Sequence, residues 1–183
     1  MKAGTHAVFG VAALAGAALV AGFDPPFYVY PAAVVAAWLP DLDNPRSTLG
    51  NGLSRRKSPL LDALTRPVSW ALRLVSFTLV HTVGHRTLTH SLFGLVVFGI
   101  VVSYFFGGHP ELAAALVAGY ASHVFADALN TRGVPLLWPL GRPFRLLPGG
   151  IRSGGLAEAV VAVAVALLAA LGLWLLYAPG LPL

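Results

Sequence analysis

Residues 5–23, 25–42, 88–106, 110–129 and 156–177 are long apolar runs, and a chain built from such runs has few folds open to it. Each run is near the ~20 residues that a helix needs to cross hydrocarbon. Backbone N–H and C=O groups in a bilayer must be paired within their own segment, so the runs predict helices. The fold class expected is all-α: a polytopic membrane protein with about five transmembrane helices. Only 10% of the residues are charged, against about 25% in soluble domains, which excludes a water-soluble globule. Residues 1–183 therefore read as one integral membrane unit. Asp24-Pro25-Pro26 and Gly107-Gly108-His109-Pro110 make two tight turns, while residues 44–84 and the Pro/Gly-rich residues 131–155 make longer connections.

Charge sets the expected orientation. With five crossings, all twelve Lys and Arg fall on one side, including Lys2, the Arg55-Arg56-Lys57 cluster, Arg86, Arg132 and Arg152. The positive-inside rule makes that side cytoplasmic, with the N-terminus inside a cell (inner) membrane. The net charge of +5 is then assigned to orientation and anionic lipid, and nucleic acid is not expected as a partner. Residues 60–80 place Leu61, Leu64, Val68 and Leu72 on one helical face, with Asp62, Arg66 and Arg73 opposite. That pattern suits an amphipathic helix lying in the interface; a sixth crossing would put Arg73 mid-membrane. A cleaved signal peptide is the competing reading of residues 1–23.

Ionisable residues at the ends of apolar runs are expensive there and so are candidates for function. They gather on the basic side: His6, Asp41, Asp43, His85, His90, His123, Asp127 and Glu158. The chain has no cysteine, so any metal site must be made of imidazole and carboxylate. His123 and Asp127, spaced i, i+4, share a helix face and suit one cation, or simply bond each other. Asp41-Leu42-Asp43 after Pro40 either binds cations or caps a helix end. In His85-Arg86-Thr87-Leu88-Thr89-His90-Ser91, Thr87 is the expected N-cap, which would put His90 on the first turn. Thr87, Thr89, Ser91 and Asn130 can orient ligands. His81, His109 and Asp62 read as structural or solvated.

That HRTLTHS run, together with Trp38-Leu39-Pro40-Asp41-Leu42-Asp43 and His123-Val124-Phe125-Ala126-Asp127, resembles the YdjM-type family of inner-membrane metal-dependent hydrolases. The resemblance runs from the His6 segment through Gly133–Pro139 to the Glu158 helix. It implies metal-dependent hydrolase activity and an integral membrane location.

The function expected is a cytoplasm-facing hydrolase at the lipid boundary, cleaving a lipid-like or phosphoester substrate. Its cofactor is one or two divalent ions, with zinc favoured over manganese or iron for mixed His/carboxylate ligands. First-choice ligands are His6, Asp41, His90, His123 and Asp127. Asp43, His85 and Glu158 are further ligands, Asp43 and Glu158 doubling as candidate general bases, and Arg86 is expected to neutralise charge on the substrate. Two other classes compete: a metal or proton transporter, which needs polar residues through the membrane depth, and a non-catalytic adaptor with a structural metal site.

Overall fold

The computed structural model describes residues 1–43 and 87–178, and the side chain of Asp43 is outside the described set. The expected interfacial helix at residues 60–80, His85 and Arg86 also lie outside it. Five α-helices are described: α1 (Ala3–Ala21), α2 (Tyr30–Ala36), α3 (Leu92–Phe106), α4 (Pro110–Ala128) and α5 (Leu156–Tyr177). No strand occurs among the described residues, only the isolated bridges Asn130–Ile151 and Val134–Phe144. Helices α1 and α5 are long and apolar enough to cross a membrane, whereas the helical stretch Phe27–Ala36 and α3 are shorter. Helix α4 has 19 residues but carries Ser122, His123 and Asp127 in its second half.

The second apolar run is not one helix. A 3-10 turn (Phe27–Val29) leads into the seven-residue α2, and a second 3-10 turn (Pro40–Asp43) follows it. Pro31 is tolerated in the first turn of α2, but Pro40 lacks the N–H that an α-helix would donate to Ala36, and it disfavours the helical conformation at Leu39. The third run also starts later than expected. Ser91 rather than Thr87 caps α3, accepting from Gly94 N at 3.0 Å and donating to Leu88 O at 2.7 Å. His90 therefore belongs to a 3-10 turn (Leu88–His90) before the helix.

Helix α1 packs on α2, α4 and α5, and α4 also holds α2 and α3. Leu14, Ala15, Val29, Tyr30, Ala33 and Ala115 form the core where α1, α2 and α4 meet. With so little area per side chain, close approach of backbones carries the packing. A Cβ on Gly119 would stand 2.1 Å from Ala33 O and 2.9 Å from the Ala36 methyl. Gly119→Val is accordingly expected to push α2 off α4 and to cost about 1–3 kcal/mol. Unfolding in detergent measures this; a midpoint equal to wild type would contradict the packing. Outside the bundle, α5 presents Leu156, Val160, Val163, Leu167 and Trp174, an apolar face of the kind that lipid covers.

The bundle has two chemically different ends. At one, Phe27 stacks on Tyr177, and the Tyr177 hydroxyl donates to Pro25 O. The other gathers the start of α1, the turn after α2, the turn before α3, the last turns of α4 and the start of α5.

Candidate metal centre

His6, His90, His123 and Asp127 are each 0% exposed. Burying such groups is costly unless each finds a partner, and the first partners are one another. His123 Nε2 is 3.1 Å from His90 Nε2. Asp127 Oδ2 stands 3.7 Å from His90 Nε2 and 3.9 Å from His123 Nε2. Asp41 Oδ1 is 3.8 Å from His90 Nε2 and 4.0 Å from His123 Nε2. Asp127 Oδ1 is 3.5 Å from His6 Nε2. It also accepts from the Met1 amine at 2.6 Å. The His6 ring stacks on His123 with centroids 3.9 Å apart and planes within 12°.

Local structure aims these rings. The i, i+4 spacing on α4 directs His123 and Asp127 to the same side, while the break after α2 brings a carbonyl to His123. Ala37 O lies 2.6 Å from His123 Nδ1. A carbonyl only accepts, so Nδ1 carries the proton, and in neutral imidazole Nε2 is left as a lone pair directed at the cluster. Thr89 Oγ1 is 3.0 Å from His90 Nδ1 and holds that ring in orientation, the hydroxyl being able to donate or accept. Tyr120, from α4, donates to Thr89 O at 2.7 Å, holding the turn against the bundle. Asp41 is the partly open member, with 28% of its side chain exposed.

Among the described residues two groups have the spacing to hold a metal ion: His6, His123 and Asp127, and Asp41, His90 and His123, with ligand atoms in each within 4.8 Å of one another. Ligands about 2.0–2.2 Å from a tetrahedral ion stand roughly 3.3–3.6 Å apart, close to the separations here. The donors fit an ion for a further reason. Both ring nitrogens of His6 are buried without a hydrogen-bond partner, and a buried polar atom left unpaired costs about 1–3 kcal/mol. A cation between His6, His123 and Asp127 would satisfy one of them. His123 offers only Nε2, so it serves one ion at a time, and two ions would need Asp127 or another group between them.

Glu158 is placed elsewhere. It is buried, and its oxygens are engaged by Lys2 N at 2.5 Å, Thr5 Oγ1 at 2.8 Å and Gly154 N at 2.5 Å. It ties the chain before α1 to the loop before α5 and is in neither metal group. The carbonyl of Ala37 had no signal in the sequence, because nothing local says which backbone oxygen a distant ring will meet.

The family model for the YdjM inner membrane protein matches residues 1–180. The chain belongs to the YdjM family. Within it, the chain is 34% identical over 127 residues to "Inner membrane protein YdjM" of Escherichia coli (strain K12) and to that of Shigella flexneri. Those alignments cover 66% of this chain and 54% of each relative, so it spans about half the length of these YdjM proteins. It is also 33% identical over 162 residues to "Uncharacterized protein YvsG" of Bacillus subtilis (strain 168), covering 88% of this chain and 87% of the relative. No solved structure matches the chain. Family and apolar helices together make it a membrane protein.

Proposed function

We propose that the chain is a membrane-embedded, metal-dependent hydrolase whose centre faces the cytoplasmic boundary and cuts a lipid-like or phosphoester substrate. The observation that carries this reading is the meeting of His6, Asp41, His90, His123 and Asp127 from four separate segments, with neither ring nitrogen of His6 in a hydrogen bond. In this reading the five apolar runs cross the bilayer alternately, and the twelve basic residues keep the centre on the inner side. A divalent ion bound there supplies the positive charge that polarises an ester and activates water. The chain's own residues hold and orient: Ala37 O sets the His123 tautomer, Thr89 holds the His90 ring in place, Asp127 spans the three imidazoles, and Asp41 lines the open side.

An apolar groove beside the centre favours an amphiphilic substrate. A cavity of about 500 Å³ is lined by Phe9, Ala13 and Ala17 of α1, Ala118, Ser122 and Phe125 of α4, and Val165 of α5. Phe9 is one turn from His6, and Ser122 and Phe125 flank His123, so an acyl chain in the groove would end at the cluster. The test is turnover of short-chain lipid phosphodiesters and carboxylic esters by detergent-purified protein, with and without chelator. Hydrolysis that chelation abolishes and zinc, manganese or iron restores is the expected result; no turnover with any metal, or turnover indifferent to chelation, would contradict it.

A further inference from the structure

Beyond the C-terminal end of α4 lies a second cavity, of about 370 Å³, lined by Met1, Asn130, Thr131, Arg132, Arg152 and Ser153. Its two walls are locked side by side, since Ile151 N donates to Leu129 O at 2.7 Å and Thr131 N to Ile151 O at 3.2 Å. The close approach depends on Gly150, which has φ +64° and whose Cβ would stand 2.5 Å from Thr131 N. Buried Asn130 braces both walls, its Nδ2 donating to Ser153 Oγ at 2.9 Å and its Oδ1 accepting from Thr131 N at 2.8 Å. One wall thus contributes Arg132 and the other Arg152.

The charged side chains that line this cavity are of one sign. No carboxylate lines it, and among the described residues neither guanidinium is in an ion pair. Lys2 adds a third cation: its Nζ lies 4.0 Å from where a Cβ on Gly154 would be, next to Ser153. The nearby Glu158 is engaged by its three donors. Two exposed guanidiniums with hydroxyl and amide groups between them make a site suited to phosphate oxygens. The cavity also adjoins the His/Asp cluster. Met1 lines it and reaches Asp127, and Asn130 N donates to Asp127 O at 3.1 Å. Along α4 and just past its end the order is apolar groove, cluster, basic cavity, with Ala118 roughly 15 Å from the helix end at Ala128 at 1.5 Å per residue. That is the order of tail, linkage and anionic headgroup in a phosphate-bearing amphiphile.

We propose that this cavity binds the phosphate of such an amphiphile, with Arg132 and Arg152 as its principal ligands. The proposal rests on the hydrolase reading for which bond is cut, but phosphate recognition itself needs no metal. Inorganic phosphate and dihexanoyl phosphatidate are therefore titrated calorimetrically into detergent-purified protein, both as isolated and after chelation, with metal content measured in parallel. Wild type is expected to bind both before and after chelation, and the lipid more tightly. Arg132→Gln/Arg152→Gln should weaken both by about tenfold or more with metal content unchanged, while Arg132→Lys/Arg152→Lys keeps part of the affinity. Ala17→Trp, in the groove, should weaken the lipid alone.

Equal affinities in wild type and the Gln double variant would overturn the proposal, whatever the metal content. Equal affinity of wild type for phosphate and lipid would overturn the amphiphile assignment. A wild type that binds the lipid through these arginines yet holds no metal would overturn the hydrolase reading and leave the phosphate site standing.

Discussion

Asp127→Ala is expected to strip the protein of metal and abolish its hydrolytic activity. This carboxylate faces His6 through one oxygen and both His90 and His123 through the other, so its removal takes the nearest carboxylate from all three buried imidazoles and leaves only the partly exposed Asp41 beside His90 and His123. Loss of an outer group that merely orients a ligand already costs 10–100-fold in metal affinity, and loss of the carboxylate that completes the His6–His123 group and also stands 3.7 Å from His90 Nε2 should cost about 100-fold or more. Asp127→Asn, of nearly the same shape, controls for folding: it should unfold within a few degrees of metal-free wild type yet retain little metal. Elemental analysis and turnover on the same preparations measure both effects. Retained metal and turnover in either variant would remove Asp127 from the centre.

Glu158→Ala is expected to have the largest effect on stability. Truncation leaves Lys2 N, Gly154 N and Thr5 Oγ1 without their acceptor at a site where Glu158 is only 2% exposed. At about 1–3 kcal/mol for each orphaned buried donor, less what relaxation recovers, the loss should be about 3–5 kcal/mol. Thermal or denaturant unfolding in detergent measures it. The same residue was also a candidate ligand and general base, and Glu158→Gln separates those roles. The amide still accepts through its carbonyl oxygen, so this variant should recover much of the stability and keep its metal. A Gln variant as stable as wild type but empty of metal would put Glu158 in the centre after all.

How much of this was legible in the sequence depends on the range of each contact. His123 and Asp127 are one helical turn apart, and their common direction follows from spacing alone. The meeting of His6, Asp41 and His90 with them follows less directly: alternating apolar runs bring these residues to one end, but only packing decides which atoms touch. The break of the second run was half legible, since Pro40 was visible while the length of α2 was not. Thr87 was the expected N-cap, but the tertiary fold of the turn puts the cap four residues later, at Ser91. Glu158 shows where local reading stops. A first-turn acid looks the same whether it meets an ion or the backbone of residues 2 and 154. Arg132 and Arg152 carried a topology signal and nothing more, because their convergence depends on a glycine-dependent turn that brings distant walls together.

The most direct test of the account is the metal content of the wild-type protein, purified in detergent, loaded with zinc, manganese or iron and then desalted. The account predicts at least one ion held per chain, lost in Asp127→Ala and retained in Glu158→Gln. Wild-type protein that is folded by its unfolding transition but carries no more metal than the Asp127→Ala variant, whichever ion is supplied, would contradict it.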